Sequence, residues 1–124
     1  MHKLEDLKIW HKALQLAKEV YTVLADMPHD EKFGLTSQMK RCAVSIASNI
    51  AEGAGRNSPK EFKQFMAIAS GSSYELQTQL LLTIELKLIS KEQVTPMIEQ
   101  VTPIINLLSE VQRMNYSFQK TLII

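Results

Sequence analysis

The sequence has few of the residues and motifs that form disulfides, metal sites or catalytic sites. Cys42 is the single cysteine among 124 residues, so no intrachain disulfide can form, as is usual in a reducing compartment. None of the three histidines follows a glutamate in the Glu-x-x-His spacing of helical di-metal sites. The sequence also lacks a Gly-x-Ser-x-Gly nucleophile motif and a phosphate-binding loop. We therefore expect no enzymatic activity, no metal, no cofactor and no small-molecule substrate.

An excess of one charge and long apolar runs are also lacking. The chain has 14 Lys and Arg against 13 Asp and Glu, so its formal charge of +1 gives no general attraction to nucleic acid or membrane. The longest apolar-rich stretch, Leu80 to Ile89, contains Thr83, Glu85 and Lys87 and is too short to span a bilayer. The first residues are charged where a signal peptide would be apolar. We expect a cytoplasmic protein that does not contact the membrane.

Helical periodicity runs through most of the sequence, and no alternating strand pattern competes with it. Apolar residues recur at steps of three and four in four segments. These predict helices from about Leu7 to Ala25, from about Thr36 to Ala54, after the N-cap Ser58, and from Ser90 onward. Because the connections are short, neighbouring helices should be antiparallel. The sequence predicts an all-α fold: one up-down-up-down four-helix bundle domain over residues 1–124, with an irregular tail at 115–124.

Two of the predicted helices carry more apolar surface than one bundle core requires. The first has two adjacent apolar stripes, which are Leu7, Trp10, Leu14, Ala17, Tyr21 and Leu24, and then Ile9, Ala13, Leu16, Val20 and Val23. In the third, the leucines that point away from the core stripe are Leu81, Leu82, Leu86 and Leu88. Helices with so little polar surface generally make contacts on two sides. We therefore predict a homo-oligomer.

Individual glycines and prolines carry specific expectations. Either Gly53 or Gly55 should provide a left-handed end for the second helix. A glycine inside a helix costs about 1 kcal/mol relative to alanine, so at Gly71, in the third helix, we expect another backbone to pack closely. Pro103, inside the fourth helix, should bend it and remove one backbone hydrogen bond.

The turn between the second and third helices is the first candidate site. Five basic residues surround it in sequence, namely Lys40, Arg41, Arg56, Lys60 and Lys63. Between residues 38 and 65 only Glu52 and Glu61 oppose them, so the local net charge is +3. The free amides at the start of the third helix also favour anions. This corner could contact phosphates of RNA or DNA, or could be an ordinary solvated surface.

A polar stripe along the second helix is the second candidate. Its members are Gln38, Arg41, Ser45, Asn49 and Glu52, and it ends beside Gly53. The spacing of three and four residues places these side chains on one flank of the helix. Three interpretations are open: a solvated face, a hydrogen-bonded seam between subunits, or a binding strip.

Three segments resemble the bacterial four-helix bundle proteins encoded in intervening sequences of 23S ribosomal RNA genes. They are "DLKIWHKALQLAKEVY" (6–21), "LTSQMKRCAVSIASNIAEGAGR" (35–56) and "EFKQFMAIASGSSYELQTQL" (61–80). The most specific parts are Gln38 to Ser45, Asn49 to Gly53, and the serine cluster before Glu75. The resemblance implies a homopentameric ring of antiparallel bundles, without enzymatic activity or catalytic residues. A related group, the accessory proteins of diversity-generating retroelements, forms basic rings thought to bind nucleic acid, whereas this chain is nearly neutral.

Overall fold

The computed structural model describes residues 2–113, which form four α-helices. They are α1 (Lys8–Leu24), α2 (Leu35–Ala54), α3 (Pro59–Glu85) and α4 (Lys91–Arg113). Short 3-10 turns at Leu4–Asp6 and His29–Glu31 precede α1 and α2, and no strand occurs within residues 2–113. The predicted all-α four-helix fold is confirmed. The predicted tail at 115–124 lies outside the described residues.

The helices are arranged so that each packs against two neighbours. α2 contacts α1 and α3, and α4 contacts α3 and α1, so α1 and α3 lie diagonally across the bundle. Residue numbers rise along one helix as they fall along its neighbour, which is compatible with the predicted up-down-up-down topology. The contacts that show this are Cys42 with Ser72 and Gly53 with Phe62 between α2 and α3, and Asp26 with Gln93 and Glu19 with Gln100 beside α1 and α4.

One hydrophobic core runs along the bundle axis and draws on all four helices. The α1 residues buried in it are Ile9, Ala13, Leu16, Val20 and Leu24. The core face of α1 is therefore mainly the second of its two predicted stripes. From the first stripe, Leu14 and Tyr21 remain about half exposed, so α1 keeps an apolar surface outside the core.

Gly53 lets α3 approach α2 closely, and its backbone is not in the left-handed conformation. No glycine among the described residues has a positive φ, and Gly55, which follows the last residue of α2, has a φ of −80°. The predicted left-handed helix end is therefore wrong. A Cβ on Gly53 would lie 2.9 Å from both Met66 Cε and Phe65 Cβ. The glycine is needed because the neighbouring helix occupies the space of a side chain.

Gly71 shows the opposite situation. A Cβ built there would meet nothing within 4 Å. The predicted close packing against another backbone is therefore wrong within the described part of this chain, where the Cβ position of Gly71 faces open space.

The two prolines of the fourth helix do not interrupt it. α4 continues from Lys91 to Arg113 through Pro96 and Pro103, and both rings are exposed. Each proline lacks the N–H that would otherwise bond to the carbonyl four residues earlier. The bend expected at Pro103 stays a prediction.

Candidate functional site

The corner between α2 and α3 is held by a helix cap and by an arginine shared between two carboxylates. The backbone N–H of Glu61 donates a hydrogen bond to Ser58 Oγ at 3.2 Å, as the sequence predicts. The Arg56 guanidinium lies 3.5 Å from the Glu52 carboxylate and 3.8 Å from that of Glu61. It also lies 5.0 Å from the centre of the Phe65 ring. Arg56 thus joins the end of α2 to the start of α3, and its charge is compensated there.

The five basic residues predicted to surround this corner do not form one patch. Lys40 and Arg41 lie roughly 20 Å along α2 from the corner, at 1.5 Å of rise per residue. Lys40 turns toward α1, with its Nζ 5.0 Å from the centre of the Tyr21 ring. Arg41 instead turns toward α3. The predicted residues that remain at the corner are Arg56, Lys60 and Lys63.

A polar cleft of about 290 Å³ lies between α2 and α3. Its lining residues are Gln38, Arg41, Cys42 and Ser45 from α2, and Ser72 and Glu75 from α3. The α2 wall contains the first part of the polar stripe predicted from the sequence. The structure therefore brings two of the segments that carry the family resemblance together on facing walls.

Hydrogen bonds between small polar side chains fix the two walls of this cleft. The hydroxyl oxygens of Ser45 and Ser72 lie 2.9 Å apart, which links α2 to α3. Asn49 Nδ2 donates to the Ser45 carbonyl at 2.8 Å and to its hydroxyl at 3.0 Å. The Cys42 thiol donates to the Ser72 carbonyl at 3.1 Å. Part of the predicted stripe is thus a hydrogen-bonded seam between two helices of the same chain.

Arg41 and Glu75 place opposite charges on facing walls. Arg41 Nη2 donates to Ser37 Oγ at 3.4 Å, and Glu75 Oε1 accepts from Gln79 Nε2 at 3.5 Å. Burial and the neighbouring Glu75 carboxylate raise the pKa of the Cys42 thiol to about 12. The thiol is therefore protonated near neutral pH, whereas nucleophilic attack and metal binding require the thiolate.

The α3 wall of the cleft is not among the sites predicted from the sequence. Its Ser72 is half-buried at the cleft. The spacing of Ser72, Glu75 and Gln79, at steps of three and four, could have indicated a second face beside the core stripe. Which helix this face meets depends on the tertiary arrangement.

The described residues offer neither a metal site nor a membrane span. Within residues 2–113, no three His, Cys, Asp or Glu side chains are grouped as metal ligands. No helix in that range has the length and apolarity needed to cross a bilayer.

Together the fold and the cleft define an all-α bundle with a cleft of polar side chains between its second and third helices. The chain belongs to the 23S rRNA-intervening sequence protein family, whose sequence profile matches residues 5–110. It is also similar to a solved structure from the S23 ribosomal protein family of Bacteroides thetaiotaomicron VPI-5482, a protein of unknown function. The TM-score is 0.79 at 25% identity, over 86% of this chain and 99% of that one. No curated protein matches the chain.

Proposed function

We propose that the protein is a non-enzymatic, homo-oligomeric four-helix bundle that acts as a cytoplasmic scaffold or adaptor. The supporting observation is the outer face of α3, where five large apolar side chains, four from α3 and one from the residue that follows it, are 41% to 55% exposed. We call this surface the α3 outer face, and its residues are Ile68, Tyr74, Leu81, Leu82 and Leu86. Pentamerisation, implied by the family resemblance, is part of the proposal.

α3 is apolar on two sides, which is unusual for a helix at the surface of a monomer. Its inner face buries Phe62, Met66, Leu76 and Leu80 in the core. It is also the least amphipathic of the four helices. Helices that are apolar all round are normally covered on both sides. Covering the α3 outer face would stabilise an assembly by about 25 cal/mol for each Å² of apolar surface removed from water.

Light scattering coupled to size-exclusion chromatography at micromolar concentration tests the proposal. We expect an assembly of about five chains, each of 14.1 kDa. A double variant, Leu82→Gln with Leu86→Gln, should dissociate because it makes the α3 outer face polar. The matched control is Thr102→Gln with Asn106→Gln, at exposed positions of α4, and should keep the wild-type mass. A wild-type protein that stays monomeric at every concentration would overturn the proposal.

Nucleic-acid binding at the corner between α2 and α3 is the second candidate function. In its favour, exposed Lys60 and the amide groups at the start of α3 lie at the same corner. Against it, Arg56 is engaged by Glu52 and Glu61, and Lys40 and Arg41 lie elsewhere. The scaffold function has the broader support, because it rests on an apolar face along most of α3.

A further inference from the structure

The polar cleft between α2 and α3 carries opposite charges on its two walls. Arg41 lies on the α2 wall and Glu75 on the α3 wall, yet no ion pair joins them within residues 2–113. Each instead contacts a side chain of its own helix, since Arg41 donates to Ser37 and Glu75 accepts from Gln79. A group that binds anions and a group that binds cations therefore face each other across the cleft.

The two serines at the cleft leave one hydroxyl proton for an anion. Ser45 and Ser72 share a single hydrogen bond between their hydroxyl oxygens, and each hydroxyl can donate once. One of the two protons makes that bond, and Asn49 acts on the Ser45 hydroxyl only as a donor. Within the described part of the chain, the other proton has no acceptor. It is a second donor for an anion, in the cleft that the Arg41 guanidinium also lines.

The surroundings of Glu75 favour a cation on the other wall. Gln79 is only 7% exposed, and its Nε2 donates to Glu75 Oε1 at 3.5 Å. The Oε1 of the same Gln79 amide is buried and has no hydrogen-bond partner among the described residues. Because an amide oxygen carries partial negative charge, it adds to the negative potential near the Glu75 carboxylate. A cation bound at Glu75 would offset the potential of both groups.

We propose that this cleft binds a small zwitterion, a molecule with one carboxylate and one primary ammonium group, such as a free amino acid. The carboxylate lies against the planar guanidinium of Arg41, which matches its geometry, and accepts the remaining serine proton. The ammonium group, which only donates, lies against the Glu75 carboxylate. The cleft volume of about 290 Å³ is at the small end of the range of about 300–1,000 Å³ for ligand sites. A small ligand therefore fits better than a nucleotide or a lipid.

The site lies within one chain, and its walls are held together without a ligand. The hydrogen bonds from Ser45 and Cys42 to Ser72 link α2 to α3, so no helix has to move when the zwitterion binds. The ligand is bound and not chemically changed, because the Cys42 thiol, the nucleophile that lines the cleft, is protonated near neutral pH. Binding therefore does not depend on the proposed oligomeric function.

Saturation-transfer NMR with the wild-type protein tests the proposal. The probes are L-serine and γ-aminobutyrate, which carry both charged groups, and acetate and methylammonium, which carry one each. We expect at least one zwitterion to bind with a Kd of about 1 mM or below. The singly charged probes should bind at least about tenfold more weakly, because each can use only one wall of the cleft. Failure of both zwitterions to bind, or acetate binding as tightly as the better zwitterion, would overturn the proposal.

Matched variants locate the binding at the cleft. Arg41→Gln and Glu75→Gln should each weaken zwitterion binding at least about tenfold, because each removes a charge-assisted hydrogen bond. The controls, Lys18→Gln and Glu92→Gln, remove exposed charges that line a groove between α1 and α4, and should bind like the wild type. Unchanged binding in either cleft variant, or equal weakening in the controls, would show that the zwitterion does not bind at the cleft.

Two further measurements separate binding from folding and from assembly. Helix content by circular dichroism should match the wild type, because the substituted side chains are exposed. If it does not, Arg41→Lys and Glu75→Asp replace the cleft variants and should still weaken binding, since they keep the charge but change its geometry. The Leu82→Gln, Leu86→Gln variant should bind the zwitterion with wild-type affinity. A monomeric wild type that binds it would overturn the oligomeric function alone, and an oligomer that does not bind it would overturn only the cleft proposal.

Discussion

At the scale of single residues, Gly53 determines how closely α2 and α3 can pack. The atoms nearest its missing Cβ differ in freedom: Met66 Cε is the tip of a flexible side chain, whereas Phe65 Cβ is fixed to the α3 backbone. A methyl group can displace the first by a rotamer change, but not the second. An added side chain must therefore move one helix away from the other.

We expect Gly53→Ala to destabilise the monomer by about 1–3 kcal/mol, the usual cost of overpacking a tight interior contact. The matched control, Gly71→Ala, should be stabilising by about 0.5–1 kcal/mol from helix propensity alone. Urea denaturation of both in the Leu82→Gln, Leu86→Gln background would separate these effects from assembly. Equal stability of the two alanine variants would show that the approach of α3 does not depend on Gly53.

Cys42 should be nearly inert in the folded protein. With its pKa raised to about 12, its thiolate fraction at pH 8 is about a thousandfold lower than that of an ordinary thiol. Labelling by iodoacetamide should therefore be slow in buffer and fast in urea, and the folded rate should still rise with pH beyond pH 9. Rapid labelling of the folded protein at pH 8 would show that the thiol is more exposed and more acidic than its surroundings indicate.

At the scale of the helix, α4 tolerates two prolines because both lie on its exposed side. Replacing Pro103 by alanine restores the N–H that can bond to the Glu99 carbonyl and removes the ring from the preceding turn. We expect Pro103→Ala to raise the free energy of unfolding by about 1–3 kcal/mol. Thermal or urea unfolding would measure it, with Thr102→Ala as the neighbouring exposed control. A destabilised Pro103→Ala variant would mean that a bend at this position is needed for packing against α1.

The four helices could be predicted from the sequence because the apolar period, the cap at Ser58 and the short connections all agree. The sequence could not decide which stripe of α1 faces the core. Its two stripes are both apolar, and only packing against α2 and α4 distinguishes Leu16, fully buried, from Leu14, which is half exposed. The prediction of a left-handed helix end at Gly53 or Gly55 was wrong, because a glycine near a helix end can also be needed for a close contact, as Gly53 is.

The candidate sites could be predicted from the sequence only in part, because residues three and four apart lie on the same side of a helix. That relation placed Gln38, Arg41 and Ser45 on one flank of α2, as the structure shows. It says nothing about the opposite wall, which comes from α3. The basic residues predicted at the corner do not lie together for a similar reason. Lys40 and Arg41 are adjacent in sequence but point about 100° apart around the helix.

At the scale of the whole molecule, the nearly neutral charge disfavours nucleic-acid binding, the second candidate function. The chain carries a formal charge of +1, and Arg56 at the corner is paired with two glutamates. We expect binding to a generic single-stranded RNA at 150 mM salt to be weaker than about 10⁻⁴ M, the weak end of non-specific binding. Fluorescence anisotropy with a labelled oligonucleotide would measure it.

A matched pair of variants makes that measurement specific to the corner. Lys60→Gln with Lys63→Gln removes two charges at the start of α3, and Lys87→Gln with Lys91→Gln removes two near its other end. We expect neither pair to change RNA binding. Tight, salt-sensitive binding that only the Lys60, Lys63 pair abolishes would establish the corner as a phosphate-binding surface.

The seam between α1 and α4 has a consequence for the order of folding. Every other packed pair of helices is consecutive in the chain, whereas this one joins helices separated by the rest of the bundle. Closing such a long loop costs more chain entropy than forming the local hairpins. The hydrogen bonds of Gln93 with Asp26 and of Gln100 with Glu19 should therefore be made last. We expect α1 and α4 to separate from the bundle before α2 separates from α3. The amides of α1 and α4 should therefore exchange with deuterium before those of α2 and α3.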